Sequence, residues 1–212
     1  NLRPADIQTT IKEIRPTLMC SVPRFWEKVY AGVQEKIAQE SGLRKAMMLD
    51  ALKVGKMHNI DYLRAGKTPP LMLHLKYKFY EKTIYALLKK TIGIENGNFF
   101  PTAGAAVSDE ICEFVHSVGI NMVVGYGLTE STATVSCFLD KGYEIGSVGT
   151  VMPDLEVKIG ENNEILLRGK TITTGYYKKP EATAAAIDKD GWFHTGDAGY
   201  LKGNHLYLTC LL

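Results

Sequence analysis

Residues Val124 to Ala133 read VGYGLTESTA, and they follow the apolar run INMVV, which has the make-up of a buried strand. A plain turn at a strand end needs one glycine and no particular neighbours. Here Tyr126 stands between Gly125 and Gly127, and a hydroxyl and a carboxylate, Thr129 and Glu130, come directly after Leu128. Glycine on both sides lets the backbone bend sharply and lets a ligand approach, while the tyrosine offers a flat face. Thr129 and Glu130 supply hard oxygen donors of the kind that hold magnesium beside phosphates. A stacking surface and a metal ligand at one strand end outline a nucleotide site.

Working outward, NFFPTAGA reads as a strand running into a small-residue turn, and SDEICEFVHSVG as a helix capped by Ser108 with an acidic first turn. Strand, turn, helix and strand in this order imply a parallel α/β sheet, whose ligands sit at the carboxyl ends of its strands. Gly104 and Gly125 both fall at such ends. Further upstream, ADIQTTIKEI reads as a short helix and PTLMCSV as a strand stopped by Pro23. From about residue 23 to 92 the chain reads as mostly helical. Trp26, Val29, Tyr30, Val33 and Ile37 share one helix face, and Tyr77, Tyr80, Ile84, Leu87 and Leu88 form a second stripe. These stripes carry enough bulk to wall an elongated apolar tunnel.

After about Ser136 the texture changes. EVKIGENNEILLRG has the alternation of a hairpin, Pro180 opens a short helix, and GWFHTGDAGYL and HLYLT return to strands. The expected architecture is thus α/β. An α/β portion over residues 1–136, with its long helical segment, precedes a smaller β-rich subdomain over residues 137–212.

The whole composition narrows the function classes. With 45% hydrophobic and 23% charged residues, the 212-residue chain has the make-up of a globular protein. A net charge of +2 without blocks of like charge gives no reason to invoke nucleic acid. Cys20, Cys112, Cys137 and Cys210 have neither zinc nor disulfide-framework spacing. No apolar run approaches the roughly 20 residues of a membrane span.

GYGLTES, GSVGTVMP, LLRGKTITTGYYKKPEATAAAI and DGWFHTGDAGYL follow one another as in the adenylate-forming enzymes, the AMP-binding superfamily of acyl-CoA synthetases, luciferases and peptide-synthetase adenylation domains. IKEIRPTLMCSVPRFWEKVYAGV and the long helical stretch resemble the long-chain fatty acid–CoA ligase branch. The resemblance covers essentially the whole chain but only the middle of such an enzyme. It implies a layered parallel-sheet domain and the reaction of a carboxylate with ATP to an acyl-adenylate, then a thioester with coenzyme A. ATP, Mg2+ and coenzyme A as substrate are the implied small molecules. A cytoplasmic location is implied, with peripheral membrane contact left open for the full enzyme.

By the same resemblance Tyr126, flanked by Gly125, Gly127 and Leu128, stacks on adenine. Glu130 ligates the magnesium and Thr129 contacts phosphate, the two together forming the catalytic pair. Asp197 accepts both ribose hydroxyls, since an ionised carboxylate takes two hydrogen bonds side by side. Gly104, Ala105 and Ala106 resemble the segment that lies along adenine and the acyl group. His194 reads as structural, and Arg168 fits a surface ion pair as well as a family position.

The sequence also departs from the family. The phosphate loop and the C-terminal domain with its catalytic lysine have no counterpart here, and after GDAGYL neither the hinge acid nor the following arginine has a match. Both ends read as cut, and the chain alone is expected not to form acyl-CoA. Two other readings stand beside the leading one: an adenylating enzyme for another carboxylic acid, and a non-catalytic nucleotide-binding remnant.

Overall fold

The computed structural model describes Arg3 and residues 6–211. Its contacts divide the chain into two compact units, Asn1–Val123 and Val124–Leu212.

The first unit is helical around a short piece of parallel sheet. Helix α1 (Ile7–Ile14) closes on Arg15, which turns left-handed and returns its N–H to the Ile11 carbonyl. The expected strand PTLMCSV is reduced to two isolated parallel bridges, Leu18 with Phe99 and Ser21 with Thr102. Its neighbour β1 (Phe100–Thr102) offers only three residues to pair with, and prolines bracket the segment. Pro23 then starts α2 (Pro23–Gln39), where a missing N–H costs nothing. Trp26 is fully buried and donates from Nε1 to Ser21 Oγ and Thr102 Oγ1, each at 2.9 Å, with its ring edge-on to Phe100. One indole thereby joins α2 to both extended segments.

Helix α3 (Gly42–Gly55) packs closely on α6 (Asp109–Ser117). A Cβ at Gly55 would lie 2.1 Å from the Ser117 carbonyl oxygen. Beyond Gly55 the helix widens into π-type turns over Lys56–Arg64. The next helix repeats the device: α4 (Leu71–Tyr80) passes through π-type turns at Glu81–Tyr85 into α5 (Ala86–Ile92). This alters the second stripe. Tyr77 and Tyr80 are buried as expected, but Tyr85 takes the next inward position while Leu87 is 66% exposed. A wider turn holds one more residue, so the inward face advances by one position. Ser108 caps α6 by accepting the Ile111 N–H, and α6 connects β1 to β2 (Met122–Tyr126). The Phe100 N–H bonds the Asn121 carbonyl at 3.0 Å.

In the second unit, β3 (Ser136–Cys137), β4 (Thr150–Val151), β5 (Leu155–Ile159), β6 (Glu164–Gly169), β7 (Phe193–Lys202) and β8 (His205–Leu211) form antiparallel neighbours. Their order is β3-β4-β8-β7-β6-β5, and the end of β2 pairs with β3. The β5–β6 hairpin turns through Asn162 and Asn163, both left-handed, a conformation asparagine tolerates better than most residues. In the β7–β8 hairpin Gly203 supplies the positive φ at the first turn position. Pro180 opens α7 (Pro180–Ala186). Tyr126, Val135, Ile165, Leu167, Phe193 and Leu206 lie in the core of this unit. The sheet is mixed, parallel in the bridges near β1 and antiparallel here, and the class is α/β as expected.

Candidate nucleotide site

Tyr126 closes β2 opposite Ser136 of β3. The chain then folds back through a single 3-10 turn, Thr129–Ser131, held by the Leu128 carbonyl accepting from both Ser131 and Ala133. The loop returns by way of Thr132 and Ala133, both left-handed at φ 54° and 76°. Non-glycine residues seldom hold that conformation, so the loop is strained. It explains Gly127: a Cβ there would lie 1.9 Å from the Ala133 carbonyl oxygen. The space that glycine opens at position 127 is taken by the chain's own returning backbone, not kept for a ligand. Gly125 sits in regular strand, where a Cβ would meet the Ser136 carbonyl at 3.2 Å.

The Tyr126 ring is part of the core and only 8% exposed. Its hydroxyl donates to Asp197 Oδ2 at 2.6 Å. Burial, then the Asp197 carboxylate, push the phenol well above its ordinary value, so it is a donor throughout the neutral range. Asp197 is itself buried, and its Oδ1 has no hydrogen-bond partner among the described residues. One carboxylate oxygen is thus fixed by Tyr126 and the other is left to accept.

The position of Asp197 comes from a bulge. In the β6–β7 ladder Leu166 faces His194 while Glu164 faces Ala198, so β7 carries two extra residues across Thr195–Gly196–Asp197. Gly196 supplies the positive φ of 70°. Thr195 Oγ1 donates to the Ile165 carbonyl at 2.7 Å and accepts the Asp197 N–H at 3.0 Å. The Glu164 carboxylate staples the bulge from outside, with Oε1 on the Gly196 N–H at 3.0 Å and Oε2 on His194 Nδ1 at 2.9 Å. His194 is a structural partner, as its sequence position suggests. Glu164 and Thr195 carry no role in the sequence reading. The one signal for them is glycine inside a strand, which marks bulges.

Thr129 is exposed and Glu130 half-buried. The Glu130 backbone carbonyl accepts the Thr173 N–H at 2.7 Å, and its Oε1 accepts from the Tyr176 hydroxyl at 2.8 Å. That bond is the main cause of the raised pKa of Tyr176. Tyr176 is another residue without a role in the sequence reading, fixed through its N–H on Thr183 Oγ1 at 2.8 Å. Neighbouring Gly175 has no room for a Cβ, which would lie 2.5 Å from Thr183 Cγ2. Glu130 keeps its second carboxylate oxygen. No group of three or more His, Cys, Asp or Glu that could hold a metal occurs among the described residues. A single carboxylate fits magnesium, which keeps several waters and is held by one or two carboxylates together with substrate phosphates.

The second unit thus brings Tyr126 and Asp197 into direct contact and joins Glu130 to Tyr176. Gly104, Ala105 and Ala106 lie in the first unit, on an exposed loop after β1. Gly104 holds φ 90° with open space where a Cβ would be, so glycine is required there by conformation. Arg168 makes a two-pronged pair with Glu156, at 3.1 and 2.7 Å, and lies over the Trp192 ring. It is engaged as the surface ion pair.

Comparison with known proteins gives the family. Residues 1–177 match the family described as AMP-binding enzyme. The chain is 32% identical over 204 residues to the putative fatty-acid–CoA ligase fadD11 of Mycobacterium tuberculosis, covering 92% of this chain and 35% of that protein. It is 30% identical over 208 residues to the human long-chain-fatty-acid–CoA ligase ACSBG2, covering 95% of this chain and 30% of that one. The chain therefore spans about a third of the length of these curated relatives. Among solved structures, the inhibitor-bound N-terminal domain of FACL13 from Mycobacterium tuberculosis superposes with a TM-score of 0.59 at 18% identity, over 100% of this chain and 42% of that one. The O-succinylbenzoate coenzyme A synthetase MenE of Bacillus subtilis, in complex with AMP, gives 0.59 at 16% identity, over 100% and 34%. At these identities the two structures speak to the fold alone. By sequence and by fold, this chain belongs to the AMP-binding enzyme family.

Proposed function

We propose that this chain forms part of an ATP-dependent long-chain fatty acid–CoA ligase and carries the base, ribose and magnesium contacts of its nucleotide site. The observation that carries the reading is the Tyr126–Asp197 hydrogen bond, which leaves the other Asp197 carboxylate oxygen free to accept. Tyr126 is assigned to adenine and Asp197 to the ribose hydroxyls, each Asp197 oxygen having lone pairs to spare. Glu130, oriented by Tyr176, is the magnesium ligand, and Thr129 the phosphate contact. Magnesium, when bound, neutralises phosphate charge as the carboxylate approaches. Gly104, Ala105 and Ala106 are assigned to the adenine and acyl groups.

The acyl class has two supports. Three relatives, at 32%, 30% and 32% identity, are named fatty-acid or long-chain-fatty-acid ligases. The first unit also holds a cavity of about 570 Å3 among its helices, lined by apolar side chains such as Phe25, Val29, Val33, Leu52, Ile84 and Leu88. Volumes of this order suit small-molecule ligands. Equilibrium binding of a fatty-acid series to the 212-residue chain tests the acyl class. Palmitate is expected to bind more tightly than octanoate, by about fourfold for each methylene that enters the cavity. Equal affinity across the series would contradict it.

A further inference from the structure

Glu164 engages β7 with both of its carboxylate oxygens. Oε1 accepts the Gly196 N–H at 3.0 Å, and Oε2 lies 2.9 Å from His194 Nδ1. The other ring nitrogen, His194 Nε2, stands 3.8 Å from Asp188 Oδ2, so the imidazole is bracketed by two carboxylates. Asp188 is held in turn through its Oδ1, which accepts the Asp190 and Trp192 N–H groups at 2.9 and 2.8 Å. A chain of contacts thus runs from the Asp188 turn through His194 and Glu164 to the backbone one residue before Asp197.

Gly196 is the residue of the bulge with the widest conformational freedom, at φ 70° with open space where a Cβ would be. In a regular strand the ladder to β6 would orient its peptide, but the bulge interrupts that pairing, and the Glu164 side chain supplies the acceptor instead. Asp197 is anchored at two other points. Its N–H bonds Thr195 Oγ1 at 3.0 Å, and its Oδ2 accepts from the Tyr126 hydroxyl at 2.6 Å. With Oδ2 pinned, the direction of Oδ1 follows the position of the Asp197 backbone, which the Gly196 peptide carries. Loss of the Glu164 bond would fall on that direction more than on folding. Gly196 is exposed, so water can replace the lost acceptor. The direction of Oδ1 is less forgiving, since a binding group must be held to within about 0.5 Å of its productive place.

We infer that Glu164 is a positioning residue for nucleotide binding: it fixes the Gly196 peptide so that Asp197 Oδ1 is aimed at the ligand, and His194 holds the Glu164 side chain in place. The inference rests on the assignment of Asp197 to the nucleotide and deepens it. Glu164 acts through Asp197 and makes no nucleotide contact of its own.

The test is titration of the 212-residue chain with ATP and magnesium, alongside Glu164→Ala, Glu164→Gln, Asp197→Ala and the double variant Glu164→Ala/Asp197→Ala. Glu164→Ala is expected to weaken ATP binding by about fivefold, the worth of one hydrogen bond, with a thermal midpoint close to the parent's. Glu164→Gln keeps an oxygen for the Gly196 N–H and offers an N–H to His194 Nδ1, so it should bind within about twofold of the parent. In the double variant the Glu164 change should weaken binding no further than Asp197→Ala does alone, because it acts through Asp197. Parent-like affinity in Glu164→Ala, or a loss that simply adds to that of Asp197→Ala, overturns the inference and leaves the nucleotide reading standing. So does a Glu164→Gln chain as weak as Glu164→Ala, since the bond to Gly196 is then not what matters. A Glu164→Ala chain without the parent's circular-dichroism spectrum also overturns it, because the bond then serves folding. Asp197→Ala binding ATP as the parent does, or a parent that binds none, overturns the nucleotide reading and this inference with it.

Discussion

Gly127 and Gly104 show how one residue type answers two different physical demands. Gly127 has an ordinary backbone conformation but no space, its Cβ position lying 1.9 Å from a backbone oxygen; Gly104 has space but φ 90°. Gly127→Ala is therefore expected to cost about 3 kcal/mol, the upper end of overpacking, because backbone cannot yield as a side chain can. Gly104→Ala should cost only about 1 kcal/mol, the price of a left-handed alanine. Urea denaturation of the two variants checks the order, and equal losses would contradict this account of the loop. The glycines were legible in the sequence as punctuation around Tyr126, but the reason for Gly127 was not. It depends on Ala133, six residues on, turning left-handed, which no local propensity announces. The link between Glu130 and Tyr176 was hidden in the same way, since the two lie far apart in sequence.

Elements fixed by local chemistry were the legible ones. Ser108 capping α6, Pro180 opening α7 and the asparagines of the β5–β6 turn all act within a few residues of themselves. The π-type turn at Glu81–Tyr85 was not legible, because periodicity assumes one pitch throughout, and so Leu87 was expected inside where Tyr85 stands. The strand expected over PTLMCSV failed for a long-range reason, the shortness of its partner β1. Helix α6 also carries a pH dependence. His116 is buried, and burial first, then the charge of Arg64, hold its pKa down to about 4 from an ordinary 6.5. The folded chain therefore favours neutral imidazole. Its contribution is complete above pH 6.5 and is lost as pH falls through about 4, amounting to about 3 kcal/mol. Denaturation midpoints measured across that window should fall with acid, and His116→Gln should flatten the fall. An unchanged slope in the variant would exclude His116 as the cause.

At the scale of the molecule, the order of motifs along the chain identified the α/β class and the family, because four strings in sequence constrain a fold more than any one does. What the order could not supply is how the TGD string is built. In isolation it reads as a turn, yet it is a two-residue bulge inside β7, made by pairing with β6 and stapled by Glu164. That bulge sets Asp197 on the Tyr126 hydroxyl, and the nucleotide assignment rests on the pair. Calorimetric titration of the 212-residue chain with ATP and magnesium measures it most directly, with Asp197→Asn and the surface variant Arg168→Ala titrated alongside. Loss of a charged acceptor from a buried hydrogen-bonded pair should weaken ATP binding by at least about tenfold in Asp197→Asn. Arg168→Ala should bind as the parent does. ATP affinity identical in all three chains would contradict the assignment of Asp197 and Tyr126 to the nucleotide.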